Sequence, residues 1–197
     1  MFENKKILIT GGTGSLGTAL AARLLTTDID TVRIFSRDEL KQSQMESHFN
    51  DKRLRFLIGD VRDKERLEKA VEGVNIVIHT AALKQVPVIE YNPFEAIKTN
   101  VQGAQNLVEA CLAKDVEFAL AVEPNNDTLC SYAKWVEEKR AQNQPTLPST
   151  LKEQKNINPF LRAHELSVKT AAEAYCENNL ADDVAVFAAV RRWKDEF

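Results

Sequence analysis

Hydrophobic residues in the first half of the chain alternate between two spacings, which predicts strands and helices in turn. Four short runs rich in β-branched residues predict buried strands: KILIT (6–10), VRIFS (32–36), RFLIG (55–59) and NIVIHT (75–80). Three stretches between them place apolar residues at helical spacing: SLGTALAARLL, DELKQSQMESHF and DKERLEKAVEG. Because parallel strands need crossover connections, this order predicts an α/β fold, a Rossmann-like parallel sheet with helices on both faces.

The pattern becomes helical further along the chain. NPFEAIKTNVQGAQNLVEACLAKD predicts a long helix that starts at Pro93. The next stretch, VEFALAVEP (116–124), suits either a fifth strand or a helix, although its alanines favour a helix. The sheet is therefore expected to have four or five strands. Three amphipathic helices are predicted beyond it, over 126–142, 164–178 and 182–194. Pro148 and Pro159 are predicted to fix turns between the first two.

A glycine-rich turn, TGGTGSLG (10–17), joins the first predicted strand to the first helix. In this context Gly11 permits a tight turn, Gly14 lets the backbone approach a pyrophosphate, and Gly17 lets the helix pack closely on the strand. The N-terminus of the helix would then face the phosphates. The position in the first βαβ unit therefore predicts a dinucleotide-binding site.

The end of the second strand indicates which dinucleotide is bound. An acidic side chain there holds a ribose 2′-hydroxyl, whereas a nearby arginine suits a 2′-phosphate. The chain has Ser36, Arg37 and Asp38, with Lys41 one helical turn later. These cations favour NADP over NAD, although the same residues could be a solvated charge cluster in which Asp38 caps the helix.

The ends of the third and fourth strands complete the predicted site. Asp60 and Val61 follow the third strand, where an adenine ring would lie, and TAALK (80–84) follows the fourth, where small residues leave room for the nicotinamide half. Ligands of open α/β sheets bind at these carboxyl ends.

Composition excludes several classes of function. The 197 residues are 44% hydrophobic and 28% charged, which is typical of a globular protein. A net charge of −3 argues against a nucleic-acid surface, and no apolar run has the length of a membrane span. The N-terminus leads directly into a strand-like run, and three widely spaced cysteines suggest reduced thiols. We therefore expect a cytoplasmic protein; the sequence also allows a homo-oligomer.

Residues 1–117 resemble the extended short-chain dehydrogenase/reductases, and more closely the UDP-N-acetylglucosamine 4,6-dehydratases. The segments that carry this resemblance are TGGTGSLG, SRDELKQ, RFLIGDVRDKERL and AALKQVPVIEYNPFEAIKTNVQGAQNLVEAC. The resemblance implies NADP as cofactor, a UDP-sugar as a further partner, and a helix at Asn100 that lines the site. The motifs and the resemblance together give these candidate cofactor-binding residues: Gly11, Thr13, Gly14, Ser15, Leu16, Gly17, Ser36, Arg37, Asp38, Lys41, Asp60, Val61, Ala81, Ala82, Lys84 and Asn100.

The catalytic signature of that family, Tyr-x-x-x-Lys, is missing from the sequence. The residues four positions after Tyr91, Tyr132 and Tyr175 are a glutamate, a valine and an asparagine. The segment where the fifth strand is expected ends in Glu-Pro-Asn-Asn instead of the family's Ser-Thr-Asp-Lys run. The catalytic residues are therefore unknown, and we expect catalysis to be lost.

Residues 118–197 resemble a different family, the C-terminal helical part of hydroxyacylglutathione hydrolase (glyoxalase II). The segments that carry it are FALAVEPNN, QPTLPSTLKEQKNINPFLR and DDVAVFAAVRRWKDEF. This resemblance implies a glutathione contact at Arg191 and Lys194, although cations near a helix C-terminus are also favoured by the helix dipole. The family's metal-binding motif is missing from the sequence, so no metal is expected.

Two resemblances in one chain predict a chimera of an NAD(P)-binding domain (1–117) and a helical region (118–197), joined close to residues 116–119. The preferred hypothesis is an NADP-binding domain without catalysis. The alternatives are an active sugar-nucleotide dehydratase or epimerase, a hydrolase fragment that still recognises glutathione, and an inactive fusion. If the chain is an enzyme, the dehydratase (a lyase) is favoured over the thioester hydrolase.

Overall fold

The computed structural model describes residues 2–142, 144–146 and 149–197. The chain divides into two compact units, Met1–Cys111 (the N-terminal unit) and Leu112–Phe197 (the C-terminal unit). Each unit has its own core. Among the described residues, none of the helices combines the length and the apolar character that crossing a bilayer requires.

The N-terminal unit is built on a parallel sheet. Its strands and the helices between them are β1 (Lys6–Thr10), α1 (Ser15–Leu25), β2 (Thr31–Ser36), α2 (Glu39–Phe49), β3 (Leu54–Ile58), α3 (Lys64–Val71) and β4 (Ile76–His79). The strand order is β3-β2-β1-β4, and every pair is parallel. The predicted Rossmann-like sheet is therefore confirmed, with four strands in the described part of the chain.

Helices cover both faces of this sheet, as the alternation of β1 requires. Ile7 and Ile9 pack on one face with residues of α1 and α2, including Leu24 and Met45. Leu8, between them, faces the other side and packs with α3 and a later helix through residues such as Leu67. Successive strand residues point to opposite faces, so one strand contributes to two cores.

A continuous helical run follows a short helix, α4 (Val86–Tyr91). It consists of α5 (Pro93–Ala96), a π-helical segment (Ile97–Gln102) and α6 (Gly103–Val122). The predicted start at Pro93 is confirmed, and the segment whose structure the sequence left open is helical as far as Val122. Phe118 and Val122, one turn apart on α6, are both buried in the core of the C-terminal unit. Burial of these two side chains on one face of the helix, together with the helix preference of the alanines, explains why this segment is a helix and not a strand.

The C-terminal unit is helical, as predicted. Its further elements are α7 (Asp127–Ala141), α8 (Leu151–Ile157), a 3-10 turn (Pro159–Leu161), α9 (Leu166–Cys176) and α10 (Asp183–Glu196). Pro159 begins the 3-10 turn, whereas Pro148 lies outside the described residues. Asn126 and Asp182 cap α7 and α10 by accepting backbone N–H groups, so the sequence specifies these starts locally.

A buried ion pair connects parts of this unit that are distant in sequence. The Glu123 side chain is 3% exposed and accepts hydrogen bonds from Arg162 Nε at 2.8 Å and Nη2 at 3.1 Å. Ser167 Oγ donates to the same carboxylate at 2.5 Å. Burial raises the pKa of Glu123, but the bonds from Arg162 and Ser167 outweigh it, so the pKa lies below its ordinary value. The end of α6 is thus held by a charged, hydrogen-bonded contact.

Candidate functional site

The loops that follow the four strands enclose a cleft of about 300 Å³ in the N-terminal unit. We call it the strand-end cleft. Its lining residues include most of the predicted site: Gly11, Thr13, Gly14, Ser36, Arg37, Asp38, Lys41, Asp60, Val61, Ala81, Ala82 and Lys84. Thr80 and Leu83, which also line the cleft, belong to the predicted TAALK segment, whereas Phe35, Gly59 and Thr99 were not predicted. Ser15, Leu16, Gly17 and Asn100, which were predicted, are adjacent to it in sequence or support its loops.

The glycine-rich turn has a different steric requirement at each of its three glycines. Gly11 has φ +66°, and a Cβ there would lie 2.7 Å from the backbone nitrogen of Ala81. A Cβ on Gly17 would lie 2.5 Å from Gly12 Cα, so α1 packs directly on the turn. A Cβ on Gly14 would meet only Gly11 O, at 3.2 Å. Gly11 and Gly17 are therefore required by packing, whereas Gly14 lies beside open space in the cleft.

Backbone donors at the start of α1 are without acceptors. In the described part of the chain, no carbonyl or side chain accepts the N–H groups of Thr13, Ser15, Leu16 or Gly17. The N-cap residue, Gly14, offers no side-chain cap to them. Because these donors lie at the positive end of the helix dipole, the turn is suited to hold an anion.

Positive charge lies at the end of β2. Arg37 and Lys41 both line the cleft, and the Arg37 side chain is 55% exposed. Asp38 caps α2, since its carboxylate accepts the Lys41 N–H at 3.0 Å and lies 3.4 Å from Lys41 Nζ. The bond from the Lys41 N–H lowers the pKa of Asp38. Ser36 is buried, and its hydroxyl accepts a hydrogen bond from Gln42 at 3.0 Å.

Asp60 is held by two arginines. Arg62 donates to its Oδ2 from Nε at 3.0 Å and from Nη2 at 2.6 Å, and Arg37 Nη1 lies 3.4 Å away. Burial raises the pKa of Asp60, but the bonds from Arg62 prevail and lower it. Arg62 also pairs with Glu95 at 2.7 Å. The sequence reasoning missed Arg62, although its position two residues after Asp60 is a spacing that allows such a pair.

One face of the long helical run fixes two loops of the cleft. Asn100 accepts the Leu83 N–H at 2.8 Å and donates to Leu83 O at 2.9 Å. Asn106 donates to Val61 O and Arg62 O at 3.2 and 3.0 Å. Gly103, between them, lies so close to Val61 that a Cβ would be 2.6 Å from a Val61 methyl group. Only Asn100 was predicted; the spacing of Asn100, Gly103 and Asn106 by three residues could have indicated the other two.

Comparison with known proteins gives a family for this arrangement. A family model described as "Polysaccharide biosynthesis protein" matches residues 7–142. The chain belongs to this polysaccharide biosynthesis protein family. A second model, described as "Hydroxyacylglutathione hydrolase C-terminus", matches residues 111–197, so both predicted resemblances are confirmed. The two matches overlap in residues 111–142.

Individual relatives match between about half and two thirds of the chain. A UDP-N-acetylglucosamine 4,6-dehydratase (inverting) of Campylobacter jejuni is 52% identical over 66% of this chain and 39% of the relative. A UDP-glucose 4-epimerase of Rickettsia felis is 50% identical over 59% of this chain and 35% of the relative. The solved structure of Pen from Bacillus thuringiensis has 43% identity and a TM-score of 0.56, covering 57% of this chain and 35% of that one. The N-terminal unit is therefore a Rossmann domain of the nucleotide-sugar dehydratase and epimerase type, and the chain spans less than half the length of these relatives.

The tyrosines of this family member do not lie at the strand-end cleft. Tyr91 is 87% exposed on α4 and is not part of the cleft lining. Tyr132 and Tyr175 belong to α7 and α9 of the C-terminal unit, where Tyr175 donates to Glu196.

The two predicted glutathione contacts, both on α10, have partners within the C-terminal unit. Arg191 Nη2 lies 3.0 Å from Asp195 Oδ1. Lys194 Nζ lies 3.1 Å from Asp115 Oδ1 and 4.8 Å from the centre of the Phe118 ring, with its side chain 19% exposed. Among the described residues, no group of three or more His, Cys, Asp or Glu side chains could hold a metal ion.

Proposed function

We propose that the N-terminal unit binds NADP in the strand-end cleft, and that the chain has lost the catalysis of the nucleotide-sugar dehydratases. The observation that carries this proposal is the set of N–H groups at the start of α1 that have no acceptor among the described residues, beside Gly14, where an added Cβ would meet only Gly11 O. A pyrophosphate would accept from Thr13, Ser15, Leu16 and Gly17. Glycine at position 14 would let the backbone approach it closely.

The charges at the end of β2 support NADP over NAD. Arg37 and Lys41 would pair with a 2′-phosphate, with Ser36 next to them. The acidic residue, Asp38, is already engaged as the cap of α2, and this leaves less of its hydrogen-bonding capacity for a ribose hydroxyl. The sequence left open whether this group binds a phosphate or is a solvated cluster, and its position in the lining favours the phosphate.

The remaining loops would hold the two ends of the cofactor. Asp60 and Val61 would hold the adenine end, and Ala81, Ala82 and Lys84 the nicotinamide half. Asn100 and Asn106 would keep these loops in position through their bonds to the backbone. When bound, the cofactor supplies hydride transfer.

Loss of catalysis follows from what the chain lacks beside such a cofactor. Sugar oxidation by hydride transfer needs a base to take up the hydroxyl proton, and the sequence has no Tyr-x-x-x-Lys. We propose that a UDP-sugar is at most a ligand here.

A chimera joined close to residues 116–119 explains best why the chain matches two families. The family matches overlap between residues 111 and 142, and α6 runs through this region as one helix. We also propose a cytoplasmic location. Its support is the sequence, in which three cysteines, Cys111, Cys130 and Cys176, are widely spaced and form no Cys-x-x-Cys pair.

Titration with NADPH, followed by its fluorescence, tests cofactor binding. We expect saturable binding of NADPH and weaker binding of NADH. Arg37→Ala and Lys41→Ala should each weaken NADPH binding roughly 10-fold or more, since a bond to a charged group contributes about 1.5–3 kcal/mol. NADH binding should change by less than about 2-fold, because NADH has no 2′-phosphate.

Lys69→Ala, which removes an exposed lysine of α3 outside the cleft, is the matched control. No binding of either nucleotide by the folded chain would overturn the proposal.

Incubation with UDP-N-acetylglucosamine and NADP, followed by mass spectrometry, tests the loss of catalysis. We expect no loss of water from the sugar nucleotide. Formation of a dehydrated product would show that another base replaces the missing tyrosine and would restore the active dehydratase hypothesis.

A further inference from the structure

The C-terminal unit contains a half-open cavity of about 140 Å³ between α6, α7 and the segment of α8 and the 3-10 turn. We call it the helical cavity. Its lining is mostly apolar and aromatic: Leu112, Asp115, Val116, Phe118, Ala119, Leu129, Tyr132, Gln154, Ile157, Asn158, Pro159 and Phe160. It is separate from the strand-end cleft, which lies in the N-terminal unit.

Most polar groups of this lining already have partners. The carboxylate of Asp115 pairs with Lys194 at 3.1 Å. Gln154 donates to Ser149 at 3.1 Å, and Asn158 donates to Gln154 at 3.2 Å. A ligand would therefore find few polar groups to bind, and charged or strongly polar molecules would lose hydration without compensation.

The hydroxyl of Tyr132 is the exception among these side chains. Among the described residues it makes no hydrogen bond, although Tyr132 lines the cavity and is half-buried. Burial raises the pKa of this hydroxyl, so it stays neutral and able to donate. Its ring lies 5.6 Å from that of Trp135.

We propose that the helical cavity binds a small aromatic molecule with a single ring and one hydrogen-bonding group, the class to which phenol belongs. Size supports this class, because dry apolar cavities of about 150 Å³ take up benzene. Phe160, which is half-buried and stacks on the buried ring of Phe118 at 6.0 Å, provides aromatic surface for such a ligand. The Tyr132 hydroxyl supplies the one polar partner that such a ligand can use.

Phenol is the probe for this site, and tryptophan fluorescence is the readout. Both tryptophans of the chain, Trp135 and Trp193, lie in the C-terminal unit, so their fluorescence reports the melting of this unit. Phenol at ten times its dissociation constant stabilises the folded unit by about 1.4 kcal/mol and should raise the Tm of this transition by roughly 6–11 °C. Toluene should bind more weakly than phenol, because it cannot bond to the hydroxyl of Tyr132. Tyr132→Phe should remove most of that difference.

A variant that fills the cavity separates specific binding from a general solvent effect. Ala119→Leu adds volume in the lining, and Leu112→Phe does so from another position if the first variant does not fold. Ala121→Leu is the matched control, because Ala121 lies on the same helix, is exposed and does not line the cavity. Filled variants should lose the phenol response, whereas the control should keep it. Absence of a response in the unmodified chain, or an equal response in filled and control variants, would overturn the proposal.

Discussion

Two glycines of the same turn should respond differently to the same substitution. A methyl group at Gly17 would overlap the backbone of Gly12, so Gly17→Ala should lower the free energy of unfolding of the N-terminal unit by about 1–3 kcal/mol. A methyl group at Gly14 meets only Gly11 O at 3.2 Å and needs a small shift. We expect Gly14→Ala to fold normally and to weaken NADPH binding, because the methyl group would stand where the phosphates approach. Far-UV circular dichroism and NADPH titration check the two outcomes. Equal loss of stability in both variants would contradict this division of roles.

The buried carboxylate of Glu123 should make the C-terminal unit sensitive to acid. Its pKa in the folded chain is below its ordinary value, so the stabilisation is present at neutral pH and is lost as the pH falls through the folded pKa. Glu123→Gln should cost about 3 kcal/mol at pH 7, because Arg162 loses its buried partner and keeps only the longer contact with Glu165, at 3.9 Å. The variant should also lose less stability than the unmodified chain between about pH 5 and pH 3.

Urea unfolding followed by tryptophan fluorescence at several pH values measures this effect. Glu117→Gln is the control, since Glu117 lies on the same helix and its side chain is 53% exposed beside Lys114. If Glu123→Gln and Glu117→Gln behave alike at pH 7, the buried pair does not stabilise the unit.

At the scale of elements, the helical run from Pro93 to Val122 orders the loops of the strand-end cleft. Asn100→Ala removes both bonds to Leu83 and frees the loop after β4. We expect it to weaken NADPH binding about 10-fold, because the loop must then be ordered on binding. The fluorescence-detected melting of the C-terminal unit should be unchanged. Gln102→Ala, on the same π-helical segment and exposed, is the control. NADPH binding that is unaffected by Asn100→Ala would show that the loop does not contribute.

Patterns within a few residues were sufficient to predict the elements, but not the contacts between them. The four strands lie within one or two residues of their predicted bounds, because buried parallel strands are short apolar runs. Local spacing could draw attention to Arg62, Gly103 and Asn106, but it could not identify their distant partners, because those depend on where a helix lies over a loop. VEFALAVEP was ambiguous for a related reason, because its composition suits both a strand and a helix. The burial of Phe118 in the core of the C-terminal unit decides for the helix.

At the scale of the whole molecule, the chain spans less than half the length of the relatives that it matches. β4 pairs with β1 on one side, and among the described residues no strand pairs with its other side. Large apolar side chains are exposed nearby in sequence, along the helices after β4. We call these the apolar row: Val86, Val88, Tyr91, Phe94, Ile97 and Val101. Tyr91 is 87% and Phe94 75% exposed, which is unusual for adjacent aromatic residues on a monomer.

The apolar row should make the chain associate with itself as its concentration rises. We expect the mean mass in sedimentation velocity to increase with concentration, and Tyr91→Lys combined with Phe94→Lys to raise the dissociation constant roughly 10-fold or more. Removing two aromatic anchors from an interface commonly costs about 2 kcal/mol, and the added like charges repel each other across it. Leu166→Lys tests whether any exposed apolar residue has this effect, since Leu166 is 76% exposed on α9, outside the row. If both variants weaken association equally, the association is nonspecific. If neither variant weakens it, the contact lies on another surface.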